Sequence, residues 1–126
     1  MASILIVDDE GPICELIQEA LAPEGHSCHL ALGGAQALEI LRKKPVDLAI
    51  VDRNMPDMGG IEVVKLIRQN PKTASVKVLM CTAASLTREI DEAFAAGAND
   101  YVLKPLNFAQ LIAKVAKALA SPARPA

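Results

Sequence analysis

The stretch Asp47-Leu48-Ala49-Ile50-Val51-Asp52-Arg53-Asn54-Met55-Pro56 decides the architecture of this chain. Leu48 to Val51 is an unbroken apolar run of strand length, as a strand buried on both faces of a parallel sheet requires. It stops at a carboxylate followed by a loop containing Pro56 and Gly59-Gly60. Asp52 is thereby placed at the carboxyl end of a central strand, the edge at which open α/β sheets bind ligands. A carboxylate there is explained by ligand chemistry or by capping of the loop through an Asx-turn, not by packing.

Outward from this strand, the other apolar runs repeat the pattern. Ile4 to Val7 ends at Asp8-Asp9-Glu10, Val76 to Met80 ends at Cys81-Thr82-Ala83-Ala84, and Tyr101 to Leu103 ends at Lys104-Pro105. His26 to Leu32 is more polar and belongs at the sheet edge, with His26 and His29 facing solvent in structural roles. Between these runs lie helical periodicities. After Pro12, residues Ile13, Leu16, Ile17, Ala20 and Leu21 form one buried stripe, and Pro23 and Gly25 end the helix. Gly33-Gly34 opens a second helix, to about Arg42, with Ala37, Leu38 and Leu41 inward. A third runs from Ile61 to about Gln69 before Asn70-Pro71. The fourth starts at Ser85 or Leu86, carries Ile90, Ala93 and Phe94 on one side, and closes at Gly97. Asn107 caps the last, whose stripe is Phe108, Leu111, Ile112, Val115 and Leu119.

Five strands alternating with five helices predict a doubly wound parallel sheet covered on both faces, a flavodoxin-like three-layer sandwich of strand order 2-1-3-4-5. At 126 residues it is one domain, residues 1–120, with 121–126 a Pro/Ala-rich tail or the start of a linker. Because aromatics make up 2% of the residues, the core must be aliphatic. A net charge of −2 lacks the basic footprint of a nucleic-acid or anionic-membrane binder. Cys14, Cys28 and Cys81 have neither metal nor CxxC spacing, and no leader or membrane-length apolar run is present, which predicts a reducing, cytoplasmic setting.

In a parallel sheet all carboxyl ends share one rim, so Asp8, Asp9, Asp52, Thr82 and Lys104 can converge. Three carboxylates in one pocket repel, and a hard dication relieves them. Mg²⁺, or Mn²⁺, would take the side chains of Asp9 and Asp52 and one backbone carbonyl, with Asp8 acting through water. A metal that keeps open positions suits phosphoryl groups; Asp52 is then the candidate nucleophile, with Lys104 and the Thr82 hydroxyl as partners for the phosphoryl oxygens.

These residues, in this order over Ile4 to about Leu119, resemble the receiver domain of two-component response regulators, within the superfamily typified by the chemotaxis response regulator. The family's acidic pair matches Asp8 and Asp9, its phospho-acceptor Asp52, its metal-binding carbonyl Asn54, its signalling hydroxyl Thr82, its switch aromatic Tyr101 and its lysine Lys104. The resemblance implies a cis Lys104-Pro105 bond. It also implies that Asp52 takes a phosphoryl group from a sensor histidine kinase, a histidine phosphotransfer protein or acetyl phosphate and loses it slowly to water. The molecule is then a switch rather than a conventional enzyme. Ala83 would leave room for the donor, and Asn54 and Ala84 would set the phosphoryl lifetime. Output would pass through the fourth helix, fifth strand and fifth helix to an effector protein or domain, Tyr101 turning inward as Thr82 moves. The same face could serve a homodimer. Two other readings are open: a phosphatase of the haloacid dehalogenase type, which needs an acid where Asn54 stands, and a degenerate receiver that binds without being phosphorylated.

Overall fold

Alternation along the strands assigns each side chain to one of two helical layers. In the computed structural model, which describes residues 2–83 and 87–122, β1 (Ser3–Val7) turns Ile4 and Ile6 toward one layer and Leu5 and Val7 toward the other. β3 (Leu48–Asp52) does the same with Leu48 and Ile50 against Ala49 and Val51. β4 (Lys77–Thr82) places Leu79 and Cys81 on the first side, Val78 and Met80 on the second. β2 (Ser27–Ala31) and β5 (Asp100–Leu103) complete a parallel sheet of order β2-β1-β3-β4-β5. The more polar strand is at an edge, as its composition predicted.

One layer is α1 (Gly11–Leu21) with α5 (Phe108–Ala120), whose Cys14, Ile17, Leu21, Leu111, Val115 and Ala118 meet Ile4, Ile6, Leu48, Ile50 and Leu79. The other is α2 (Gly34–Lys43), α3 (Gly60–Gln69) and α4 (Thr87–Ala96), packed on Leu5, Val7, Ala49, Val51, Val78 and Met80. Both cores are aliphatic. Each fully buried Leu or Ile contributes roughly 1.5–3 kcal/mol of transfer free energy, so a charge at Ile50, 1% exposed at the centre of the sheet, would unfold the domain. Asn107 caps α5 by accepting a hydrogen bond from the Gln110 amide. Gly97 leaves α4 at a φ of +120°, a conformation other residues rarely adopt. The Lys104-Pro105 bond is cis. Among the described residues no helix is long and apolar enough to cross a membrane.

Three expectations need correction, and three others fall outside the described residues. In α1 the buried positions are Cys14, Ile17 and Leu21, while Leu16 is 46% exposed. Apolar residues run around most of that helix, and several stripes fit its sequence equally well. In α4 only Ala93 and Ala96 are buried and Phe94 is 41% exposed, because its ring lies over β5 rather than under the helix. His26 and His29 are partly buried rather than facing solvent, and His26 Nδ1 is enclosed without a hydrogen-bond partner among the described atoms. The start of α4 at Ser85 or Leu86, the position of Ala84 and residues 123–126 of the tail lie outside the described residues.

Candidate functional site

Register brings the strand ends to one level. Val7 pairs with Val51, so Asp8 follows β1 beside Asp52; Asp52 pairs with Cys81, and Thr82 with Leu103, so Lys104 emerges next to the end of β4. The ladder runs one residue past three of the strands: the amides of Asp8, Arg53 and Lys104 donate to the carbonyls of Ala31, Cys81 and Thr82 at 3.1, 2.9 and 2.9 Å. Gly60 lets α3 begin directly against this rim, since a Cβ there would stand 2.3 Å from the Asp52 carbonyl oxygen.

The polar side chains converge. One oxygen each of Asp8, Asp9 and Asp52 lie within 4.8 Å of one another. Asp8 and Asp52 are buried, at 2% and 5% exposure, while Asp9 is exposed. Lys104 Nζ is 3.0 Å from Asp52 Oδ1 and 3.5 Å from Asp8 Oδ2. Asp8 also accepts the Glu10 amide at 2.9 Å, and Asp52 accepts the Asn54 amide over a long 3.4 Å. The loop-capping role considered for Asp52 is therefore present only weakly, whereas Asp8 does cap its own turn.

Burial raises the Asp52 pKa above the ordinary carboxylate value, and the charge of Asp8 adds to this; the Lys104 hydrogen bond opposes it without cancelling it. For Lys104, burial pulls the pKa down, but the hydrogen bond and charge of Asp52, with Asp8 behind it, leave it raised. One ammonium thus pairs with two of three clustered carboxylates, and the set carries surplus negative charge on hard oxygen donors, which fits a divalent cation such as Mg²⁺. The thiols nearby are poor rivals as nucleophiles. Burial, reinforced by Asp8, pushes Cys14 up to about 11, and its Sγ–H donates to the Asp8 carbonyl; burial pushes Cys81 up to about 12. Neither holds thiolate at neutral pH.

The family model of the response regulator receiver domain matches residues 4–116. The chain belongs to this family. It is 42% identical over 118 residues to the transcriptional regulatory protein ZraR of Klebsiella oxytoca, covering 93% of this chain and 26% of that protein. It is 34% identical over 125 residues to the phosphate regulon transcriptional regulatory protein PhoB of Rhizobium meliloti, covering 99% of this chain and 55% of that one. The fold matches the chemotaxis protein CheY4 of Vibrio cholerae with a TM-score of 0.89 at 31% identity, over 94% of this chain and 98% of that one. The receiver domain thus spans about a quarter to half of those curated relatives.

Elsewhere in the receiver domain, Thr82 is 2% exposed at the end of β4, on the same side of the sheet as Val78 and Met80 and hence of α3 and α4. Tyr101 pairs with Met80, two positions below the level of Thr82. Its half-buried ring meets Phe94 edge-on at 6.1 Å between centroids, and Lys114 Nζ lies 4.5 Å from its centre. Asn54 is exposed at the rim.

Two residues that frame the site escaped the sequence reading. Asp57, in the β3–α3 loop, accepts the amides of Gly34 and Ala35 at 3.2 Å each and so caps α2 from a distance. These amides hold its carboxyl below the ordinary carboxylate range. The signal was available: Gly33-Gly34 gives α2 no side-chain cap of its own. Arg53 reaches from beside Asp52 to α4, and nothing in its local sequence points there.

Proposed function

We propose that Asp52 is the phospho-acceptor of this receiver domain and that residues 1–120 act as a phosphorylation-controlled binding switch. The observation that carries this reading is the buried Asp52 carboxylate, 3.0 Å from the Lys104 ammonium and within reach of two further carboxylates. An Asp52 oxygen attacks the phosphorus of a phosphohistidine on a kinase or phosphotransfer protein. The new P–O bond forms as the P–N bond breaks, and the departing imidazole keeps the electron pair and takes a proton. Asp9, Asp52 and the backbone carbonyl of Asn54, with Asp8 through water, would hold Mg²⁺ or Mn²⁺. When bound, that ion supplies positive charge to the carboxylates and to the phosphoryl oxygens.

Lys104 follows the charge: paired with Asp52 at rest, it pairs with a phosphoryl oxygen afterwards, and the Thr82 hydroxyl donates to another. The acyl phosphate later yields to water, so the domain promotes its own labelling and slow unlabelling without turning over an external substrate. Movement of Thr82 opens space on the side of the sheet that Tyr101 shares, and the α4-β5-α5 face passes the state to an effector protein or domain, or to a second copy. Relatives that are transcriptional regulators support an effector reached through a linker beginning in residues 121–126. Such signalling belongs in the cytoplasm.

The test is the intact mass of the protein after incubation with acetyl phosphate and Mg²⁺. One added phosphoryl group is expected on the wild type and none with excess chelator. An unlabelled wild type in the presence of Mg²⁺ overturns the reading.

A further inference from the structure

Helix α4 is held to the domain by little apolar surface. Its buried residues are Ala93 and Ala96, against three or four buried positions, including Leu, Ile or Val, in α1, α3 and α5. Alanines contribute a small fraction of the burial that a Leu or Ile provides, so polar contacts carry an unusual share of the docking of this helix. Arg53 makes two of them. Its Nη1 donates to the Glu89 carbonyl in the first turn of α4 at 3.1 Å, and its Nη2 to Glu92 Oε1 at 3.0 Å.

The same residue is fixed at its backbone. The Arg53 amide donates to Cys81 of β4 at 2.9 Å, and its carbonyl accepts from Gly60 at the start of α3 at 2.8 Å. The side chain itself is 16% exposed. Arg53 lies between Asp52 and Asn54 in the chain, so any displacement of α4 pulls on the backbone that shapes the acceptor loop. A guanidinium is suited to this because its planar fork serves a carbonyl and a carboxylate at once, which an ammonium on a flexible stem does not.

We propose that Arg53 is a positioning residue that latches the first turns of α4 to the acceptor loop, coupling the placement of α4 to the readiness of Asp52 to receive a phosphoryl group. The latch holds the resting arrangement, and releasing it lowers the cost of the rearrangement that accepts the phosphoryl group. The rate consequence rests on Asp52 being the acceptor; the mechanical coupling does not.

The experiment uses the full chain with Glu92→Ala, Arg53→Ala, Arg53→Lys and the double alanine variant, read in two ways. Amide hydrogen exchange at Asn54 and Met55 should quicken by about two- to fivefold in Glu92→Ala, the range that one partly exposed ion pair supports. An ion pair with only a local structural role would alter exchange in α4 and leave those two amides unchanged. Labelling by acetyl phosphate with Mg²⁺ should quicken by a similar factor in each single alanine variant. Arg53→Lys should fall between wild type and Arg53→Ala, and the double variant should match Arg53→Ala alone. Unchanged exchange at Asn54 and Met55, or single-variant effects on labelling that simply multiply, would overturn the proposal. A wild type that takes no label refutes the acceptor assignment instead, and the exchange measurement then decides the latch by itself.

Discussion

Each rim of the sheet carries an aspartate and a lysine, and the two rims use them in opposite ways. At the amino rim Asp47 accepts the Ser3 amide at 2.8 Å and the buried Lys77 donates to the carbonyls of Ser121 and Pro122, so both charges are spent on backbone. At the carboxyl rim Asp52 and Lys104 face each other, with Asp8 and Asp9 crowding the same point. A recess of about 420 Å³ lies at the amino rim, the wrong end for chemistry, lined by His26, Asp47, Ser75 and Lys77. Room for a ligand is common; like charge gathered at one point with a single lysine against it needs a reason, and the function proposed above supplies one in a cation and a phosphoryl group.

The sharpest way to break this contrast is a matched pair of variants. Asp52→Asn should abolish labelling at near-constant volume, while Asp47→Asn should label at the wild-type rate; reduced labelling in Asp47→Asn would erase the distinction between rims. The lysines make a second pair. Lys104→Met should slow labelling by about 10²-fold, the usual cost of losing one charge-stabilising donor. Lys77→Met should leave that rate intact and cost about 1 kcal/mol of stability or less, a few degrees in Tm, because water can take over the exposed carbonyls it releases. Asp9→Asn, at an exposed position, should weaken Mg²⁺ binding by about tenfold by titration calorimetry and move the metal-free Tm less than a change at Asp52 does.

The smallest effect is thermal and depends on pH. Because the Asp52 pKa is raised in the folded protein above its ordinary 3.8, the folded state holds that proton more tightly than the unfolded chain. Stability from this group is complete below about 3.8 and is lost as pH rises through the folded value. Asp52→Asn removes the loss, so in metal-free buffer it should melt a few degrees above wild type at pH 7, and the difference should close as pH falls toward 4 in scanning calorimetry. A variant that melts lower at pH 7 would show that Lys104 needs Asp52 more than burial penalises it.

Asp8, Asp9, Asp52, Thr82 and Lys104 could be read from sequence because each follows an apolar run, and parallel strands bring the ends of such runs to one edge whatever their separation in the chain. The strand order followed from the alternation of five strands with five helices, taken in its doubly wound form. Reading of this kind failed where the signal is not local. Leu16 and Cys14 lie on two different apolar stripes of α1, and only packing against β1 and β3 chooses the one that carries the cysteine. Phe94 reads as core by spacing, yet it has Tyr101 of the neighbouring strand to pack on. Arg53 and Asp57 act through backbone groups 36 and about two dozen residues away, and such bonds leave no periodicity behind them.

The central claim is that a buried carboxylate at the end of β3, facing Lys104, receives the phosphoryl group. Treating the labelled protein with borohydride converts an acyl phosphate at an aspartate to the corresponding alcohol, which peptide mass spectrometry locates. The modification should fall on Asp52 alone and disappear when Mg²⁺ is chelated; modification at another residue, or at Asp52 regardless of metal, would contradict the account.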